Sequence, residues 1–144
     1  IPTIISQLLR GSKTLKLGSI SPTRDFNFVA DTVRGFVAAL EADSGAGEVI
    51  NLGSNYEVSI GNVVKIISTL LGVDAEVICD DQRLSPSQSE VERLWADNSK
   101  ALEYLGWIPE YSGLAGFERG LIETIDWYRR PENNSLFRSD RYSV

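Results

Sequence analysis

Three arginines are the side chains in this sequence best suited to binding an anion. Arg24 and Asp25 directly precede the extended run at residues 26–29, and Arg83 and Arg93 lie in or beside a long polar stretch. A guanidinium can bind a carboxylate or phosphate through two parallel hydrogen bonds, so convergence of these arginines would form an anion site. Alternatively, Arg24 pairs with Asp25 or Asp31, or all three arginines are simply solvated. These residues alone leave both interpretations open.

Other kinds of chemistry find little support. The chain has no histidine and a single cysteine, Cys79, which removes His-based triads and the usual zinc sites and predicts no internal disulfide. Cys79 lies in an apolar run, where a buried and inert thiol is usual. The adjacent Asp80 and Asp81 match no calcium-loop pattern, and neither G-x-G-x-x-G nor a P-loop occurs. We therefore expect no metal site and no dinucleotide site in this sequence.

Composition sets the class of protein to expect. The 144 residues, 42% of them hydrophobic and 24% charged, suffice for one globular domain, and no apolar stretch reaches the length of a membrane span. A net charge of −6 argues against binding nucleic acid by neutralising its phosphates. The sequence contains no methionine and opens without a signal segment. A processed N-terminus and a fragment of a longer chain explain this equally well.

Hydrophobic periodicity predicts alternating helices and strands, an α/β or α+β arrangement. The predicted helices cover residues 2–10, 33–40, 60–71, 99–105 and 114–130, and the predicted strands cover 15–17, 26–29, 49–52 and 75–79. Asp31 or Thr32 would cap the second helix and Ser59 the third. The buried strand at 49–52, the third helix and the strand at 75–79 form a natural βαβ unit. Four short strands make a poor free-standing sheet, so some are expected to need neighbours that this sequence does not contain.

Several short motifs occur in an order that is specific as a set. They are Leu15-Lys16-Leu17-Gly18, Arg24-Asp25-Phe26, Val49-Ile50-Asn51-Leu52-Gly53, Asp97-Asn98-Ser99-Lys100 and Leu105-Gly106-Trp107-Ile108-Pro109, followed by a closing helix. Up to about residue 130, the chain resembles the C-terminal portion of extended short-chain dehydrogenases/reductases, the nucleotide-sugar epimerases and dehydratases. Residues 89–94 look most like the UDP- or GDP-N-acetylglucosamine 4,6-dehydratases of bacterial legionaminic-acid-type pathways.

The resemblance implies an architecture as well as a setting. Residues 1–130 would form an α/β substrate-binding domain with a few strands that complete a Rossmann sheet, and residues 131–144 a polar tail. The parent protein would be a cytoplasmic enzyme, commonly a homodimer. Its partners would be a nucleotide-diphosphate sugar and the N-terminal Rossmann half, with neither nucleic acid nor membrane involved.

The resemblance also implies roles for the arginines. Arg24 matches the family's arginine that binds the diphosphate of the nucleotide sugar. A second family arginine for the same diphosphate directly precedes a proline. That position is Ser85 here, so the second role would pass to Arg83 or Arg93.

Apolar residues would form the wall for the nucleotide base, and the catalytic groups would lie elsewhere. By resemblance, Leu15 and Leu17 cover the base, and Pro2 and Ile5 belong to a helix that walls the same pocket. The family's dinucleotide-binding glycines and its catalytic Tyr-x-x-x-Lys belong to the N-terminal half. No tyrosine of this sequence has a lysine four positions on. NAD or NADP is thus implied for the parent enzyme, with no catalytic or cofactor-binding residue in this chain.

Two classes of function follow from these observations. The first is the substrate-binding part of an NAD(P)-dependent nucleotide-sugar 4,6-dehydratase, with the same part of a 4-epimerase as the close alternative. The second is a non-catalytic interaction or regulatory module of the same fold. A substrate-binding part separated from its other half should expose apolar surface on the 32–40 helix and the 49–52 strand.

Overall fold

The structure, a computed structural model, describes residues 1–80 and 91–134. Its helices are α1 (Pro2–Leu9), α2 (Val29–Glu41), α3 (Ile60–Leu71), α4 (Ser99–Leu105), α5 (Gly113–Arg129) and α6 (Pro131–Asn134). Its strands are β1 (Thr14–Leu17), β2 (Thr23–Asp25), β3 (Glu57–Ser59), β4 (Glu76–Cys79) and β5 (Arg93–Leu94).

The chain divides into two compact units. Unit 1 comprises Ile1–Pro22, Ser59–Val91 and Leu121–Val144, of which residues 81–90 and 135–144 lie outside the described part. Unit 2 comprises Thr23–Val58 and Glu92–Gly120.

Unit 1 is built on a pair of parallel strands and an apolar core. Strand β1 pairs with β4 from Thr14↔Glu76 to Leu17↔Cys79, and α1 contacts both β1 and α3. Apolar side chains recur at helical spacing on α1 and α3 and on alternate positions of β1, so they share one interior. The least exposed of them, at 0% accessibility, are Ile5, Leu15, Val63 and Ile67.

Helix α3 has the ends that its sequence predicts. The Ser59 hydroxyl oxygen accepts a hydrogen bond from the Asn62 N–H at 3.2 Å, as a serine N-cap does. Gly72 ends the helix in the left-handed conformation at φ +66° and donates its N–H to the Ser68 and Thr69 carbonyls. The predicted cap and stop of this helix are confirmed.

Two predictions about the strands of this region are wrong. The parallel partner of β4 is β1, and residues 49–52 form no strand in the described structure. Val49 is 81% exposed, because this apolar run has no neighbouring strand to pair with.

Cys79 is exposed at the end of β4, whereas its apolar surroundings in the sequence predict a buried thiol.

Unit 2 contains a small sheet with the strand order β3-β2-β5. Strand β2 pairs in parallel with β5, with Thr23 opposite Arg93 and Arg24 opposite Leu94. The sequence predicts that residues 26–29 are a strand or an extended stretch that leads into a helix. They form no strand, because the strand lies earlier, at Thr23–Asp25, but Phe28 is extended (φ −75°, ψ 143°) directly before α2. The sequence gives no signal for the two-residue strand β5, which exists only through its pairing.

Helix α2 begins earlier than predicted and without a side-chain cap. Its N-cap position is Phe28, so neither Asp31 nor Thr32 caps it. One side of the helix carries a row of exposed apolar residues, here called the α2 apolar face. Its members are Val29, Val33, Phe36, Val37 and Leu40, and their exposure runs from 46% to 87%. The exposed apolar surface predicted for this helix is therefore confirmed, whereas in residues 49–52 Val49 is exposed and Ile50 and Leu52 are half-buried.

The remaining helices follow their local signals. The Asp97 carboxylate accepts the Ser99 N–H at 2.9 Å at the start of α4, and Gly106 ends that helix at φ +60°. Helix α5 ends at Arg129, before Pro131, as predicted. The predicted tail at 131–144 begins with the short helix α6, and its residues 135–144 lie outside the described part.

Candidate functional site

Arg24 is half-buried on β2 and is held by backbone carbonyls. Its Nη1 donates to the Thr23 carbonyl oxygen at 2.7 Å and to the Glu92 carbonyl oxygen at 3.5 Å. Within residues 1–80 and 91–134, no carboxylate lies within salt-bridge distance of the guanidinium, and Nε and Nη2 donate to no protein acceptor. The described residues therefore place no carboxylate against the positive charge of Arg24 and leave it donors for an anion.

Asp25 does not neutralise Arg24, because its carboxylate organises a neighbouring turn. Oδ1 accepts the Ser54 N–H at 2.9 Å and the Ser54 hydroxyl at 2.5 Å, while Oδ2 accepts the Asn55 N–H at 3.1 Å. Asn55 has a φ of +56°, which the carboxylate bond helps to hold. Gly53 is required beside it, since a Cβ there would lie 2.5 Å from Ala96 Cβ.

Asp31 is also occupied elsewhere. Its side chain is 0% exposed and accepts the backbone N–H groups of Glu110 at 3.0 Å and Tyr111 at 2.9 Å, together with Arg34 Nη2 at 2.5 Å. Its own carbonyl oxygen accepts Trp107 Nε1–H at 3.1 Å. The interpretation in which Arg24 pairs with Asp25 or Asp31 is therefore wrong, because backbone amides and Arg34 take both carboxylates.

Arg93 is engaged with Glu57. Its Nε donates to both Glu57 carboxylate oxygens at 2.7 and 2.8 Å, and its Nη2 lies 2.7 Å from Oε2. The guanidinium also lies 4.9 Å from the centre of the Trp95 ring, within cation–π range. The structure does not bring Arg93 to Arg24 as a second free cation. Arg83, the other candidate, lies outside the described residues, as does Ser85.

The Glu57 carboxylate is a functional feature that the sequence analysis missed. It accepts the Thr23 hydroxyl as well as Arg93, so it links all three strands of the unit 2 sheet. The hydrogen bonds from Arg93 and then from Thr23 hold the pKa of Glu57 below its ordinary value. The same contact raises the pKa of Arg93. Glu57 and Arg93 lie 36 positions apart, and no local spacing connects them.

The aromatic residues after Arg24 pack within unit 2. Phe26 stacks on Phe117 with ring centres 5.9 Å apart, and Phe28 lies 4.2 Å from the Tyr111 ring centre. Tyr56 also contacts Phe117, at 5.9 Å. The Arg-Asp-aromatic motif thus combines a cation, a turn-forming carboxylate and a packing anchor in three consecutive residues.

A cavity of about 280 Å³ lies in unit 2 near this motif. Its carboxylates disfavour an anion, and hydrogen bonds from Ser99 hold the pKa of Asp97 below its ordinary value, which keeps that group ionised. The lining consists of Asp25, Asn51, Leu94, Trp95, Ala96 and Asp97. Arg24 therefore suits a negatively charged ligand, whereas this acidic cavity disfavours one.

The residues predicted to wall the nucleotide base all lie in unit 1. Pro2 is exposed at the start of α1, and Leu17 is 8% exposed at the end of β1. Ile5 and Leu15 are fully buried in the core of the unit. Of these four residues, Pro2 has surface available to a ligand, whereas Leu17, Ile5 and Leu15 are buried.

The described residues contain no metal-binding cluster. None of their His, Cys, Asp and Glu side chains form a group of three that could hold a metal ion. In the same part of the chain, no helix is both long and apolar enough to cross a membrane.

Comparison with known proteins identifies the family. Residues 1–120 match the family described as GDP-mannose 4,6 dehydratase. The chain belongs to this family. It has the α/β fold of the extended short-chain dehydrogenase/reductase epimerases and dehydratases, which confirms the fold class predicted from the sequence.

The relatives act on nucleotide sugars. The chain is 34% identical over 129 residues to a UDP-glucuronate 4-epimerase of Thermodesulfobacterium geofontis, covering 88% of this chain and 36% of that protein. It is 33% identical to a dTDP-glucose 4,6-dehydratase of Xanthomonas campestris, covering 89% and 37%. A crystal structure of the Bacillus cereus UDP-glucuronic acid 4-epimerase with UDP-glucuronic acid and NAD matches at a TM-score of 0.75 and 31% identity, covering 94% and 39%. The chain thus spans less than two fifths of the length of these relatives.

Proposed function

We propose that this chain is the nucleotide-sugar-binding part of an NAD(P)-dependent nucleotide-sugar enzyme, and that Arg24 binds the diphosphate. The observation that supports this most directly is the guanidinium of Arg24, which is fixed by two carbonyls and paired with no described carboxylate. A fixed cation with donors to spare suits a diphosphate oxygen.

The nucleotide base would need a different surface. An apolar slot with little charge suits a base, and in unit 1 Pro2 supplies exposed apolar surface, while Leu17, Ile5 and Leu15 belong to the buried apolar core. Because Arg93 is bound by Glu57, Arg83 is the better candidate for a second diphosphate contact.

The dinucleotide would be bound by a part of the protein that this sequence does not include. The sequence has no glycine-rich dinucleotide motif and no Tyr-x-x-x-Lys. NAD or NADP, when bound, supplies reversible hydride transfer at a sugar carbon. The contribution of this chain would be to bind the nucleotide and orient the hexose, which lowers the entropic part of the barrier.

The exposed apolar surface of unit 2 supports an interaction with such a dinucleotide-binding half. The α2 apolar face and Val49 expose apolar side chains of the kind that soluble domains normally bury. Residues 48–52 also leave their backbone without strand partners, which suits the addition of a strand to a neighbouring sheet. We expect the Rossmann half to cover both.

Two reactions fit this assignment. A 4,6-dehydratase is favoured by the match of residues 1–120 to a dehydratase family. A 4-epimerase is favoured by the 34% identity to a 4-epimerase. A closer relationship to dehydratases of legionaminic-acid-type pathways, homodimerisation and a cytoplasmic location remain predictions, and a non-catalytic module is the alternative from another class.

The test uses the enzyme expressed from the complete reading frame. Arg24→Ala should raise the KM for the nucleotide sugar by about tenfold or more, because a charge-assisted bond to the diphosphate is lost. Arg129→Ala is the matched control, since Arg129 is an exposed arginine paired with Asp126. An unchanged KM in Arg24→Ala would remove Arg24 from this role. A complete protein that binds UDP or GDP but turns over no nucleotide sugar would favour the non-catalytic module.

A further inference from the structure

The cluster around Glu57 has an arrangement that core packing does not require. Thr23 on β2 and Arg93 on β5 are opposite each other in the strand register, and both side chains bind the one carboxylate of Glu57 on β3. The carboxylate therefore reaches across the central strand and joins the outer two. Glu57 is 21% exposed and Arg93 60% exposed at the side chain, so the cluster lies at the surface.

The Arg24 guanidinium is hydrogen-bonded to backbone carbonyls at or next to the two residues that Glu57 binds. One of its acceptors is the carbonyl of Thr23, whose hydroxyl binds Glu57. The other is the carbonyl of Glu92, which is bonded covalently to the nitrogen of Arg93. Thr23 also donates its N–H to that Glu92 carbonyl at 2.8 Å. A shift of either residue bound by Glu57 would therefore displace an acceptor of the Arg24 guanidinium.

We propose that Glu57 is a positioning residue for Arg24: by binding Thr23 and Arg93 it fixes the two carbonyls that orient the Arg24 guanidinium toward an anion. This inference rests on the proposed function of Arg24. Glu57 itself contacts no ligand in this role, because its two oxygens are already taken by protein donors. Successive residues of a strand point to opposite faces, so Thr23 and Arg24 can serve the two tasks separately.

Glu57 has a second effect on charge. The Glu57 carboxylate neutralises Arg93, whereas Arg24 has no carboxylate partner among the described residues. The lowered pKa of Glu57 is consistent with a carboxylate that stays ionised for this purpose.

The experiment is a double-mutant cycle in the enzyme expressed from the complete reading frame. Arg24→Ala, Glu57→Gln and the double variant are compared by the Kd for UDP and for GDP, using whichever nucleotide the unsubstituted enzyme binds. We expect Glu57→Gln to weaken binding about three- to tenfold and Arg24→Ala to weaken it more. In the Arg24→Ala background, Glu57→Gln should weaken binding no further, because the group it positions is gone.

Other outcomes separate the two proposals. If Arg24→Ala weakens binding but Glu57→Gln does not, the positioning role is wrong and the proposed function survives. If Glu57→Gln weakens binding equally in both backgrounds, it acts independently of Arg24, which also overturns the positioning role. If Arg24→Ala leaves the Kd unchanged, the proposed function itself fails.

Two further variants keep the test decisive if Glu57→Gln does not fold. Thr23→Val and Arg93→Gln each remove one partner of Glu57, and each should weaken binding only when Arg24 is present. An Arg93→Gln effect that persists without Arg24 would mean that Arg93 binds the anion directly. Asp126→Asn, which breaks an exposed ion pair on α5, is the control and should leave the Kd unchanged.

Discussion

Units 1 and 2 are stabilised by different kinds of interaction. Apart from Ser6, which is 5% exposed, the buried side chains described in unit 1 are apolar, among them Ile5 and Ile67, which are completely inaccessible. Unit 2 instead buries the polar residues Asp31 and Ser54, at 0% and 1% exposure, and leaves the large apolar side chain of Leu40 87% exposed.

The difference shows where geometry is specified most tightly. Apolar contacts have little directionality, so the core of unit 1 mainly fixes the packing of its elements. Hydrogen bonds to a carboxylate have defined directions and lengths, so Asp25 fixes the turn at Ser54 and Asn55 beside Arg24, and the buried Asp31 fixes the backbone at Glu110 and Tyr111. Unit 2 therefore has a tightly specified backbone next to Arg24, while its α2 apolar face is exposed.

The largest expected effect is at the buried carboxylate of unit 2. Asp31→Ala leaves the N–H groups of Glu110 and Tyr111 and the guanidinium of Arg34 without their acceptor. We expect a loss of about 3–5 kcal/mol in the free energy of unfolding, measured by urea denaturation. Asp126→Ala, at an exposed pair, should change it by less than about 0.5 kcal/mol. A loss below about 1 kcal/mol for Asp31→Ala would contradict the view that hydrogen bonds to a buried carboxylate stabilise unit 2.

The next largest effect is expected in the apolar core of unit 1. Leu15→Ala removes a fully buried side chain and should cost about 3 kcal/mol, and the milder Ile67→Val about 1 kcal/mol. Thermal unfolding monitored by circular dichroism measures both. Lys16→Ala, at an exposed position of the same strand, is the control. Equal losses for Leu15→Ala and Lys16→Ala would show that β1 does not contribute to a core.

A smaller effect is expected on the α2 apolar face. Leu40→Lys in the 144-residue chain should change the free energy of unfolding by less than about 0.5 kcal/mol, because the side chain is 87% exposed. Binding of a hydrophobic dye should decrease at the same time. In the enzyme from the complete reading frame the same change should be clearly destabilising. Equal tolerance in both proteins would argue against the covered surface proposed above.

The smallest effect concerns pH. The pKa of Glu57 is lowered from an ordinary value of 4.5, so its ionised form is favoured by folding. The resulting stabilisation is present above pH 4.5 and is lost as the pH falls through the lower pKa of the folded state. The difference in Tm between the unsubstituted chain and Glu57→Gln should therefore shrink from pH 6 to pH 3. A difference that is constant over this range would show that the charge of Glu57 is unimportant.

The elements that the sequence predicted well are those with local signals. Ser59 and Gly72 delimit α3 through their own hydrogen bonds, and Pro131 follows the end of α5. Strands were harder, because a strand is defined by its partner. Residues 49–52 have the composition of a strand but pair with no strand in the described structure. Strand β5 pairs with β2, although its composition does not indicate a strand.

The candidate site divides in the same way. Arg24 could be singled out because a motif surrounds it, and its role in binding an anion stays a prediction. The Glu57 contacts with Arg93 could not be predicted, because they join residues 36 positions apart through strand pairing. The partners of Asp25 and Asp31 were equally hard to predict, since they include backbone N–H groups, which every residue type except proline provides.

The acceptors that hold Arg24 are main-chain atoms, and this affects how the site can evolve. Every amino acid has a carbonyl, so a substitution at position 92 leaves that acceptor chemically unchanged. Homologues could vary freely there and still orient the arginine in the same way. A comparison of side-chain identities would then miss the carbonyl groups that hold the cation, whereas a comparison of backbone geometry would reveal them.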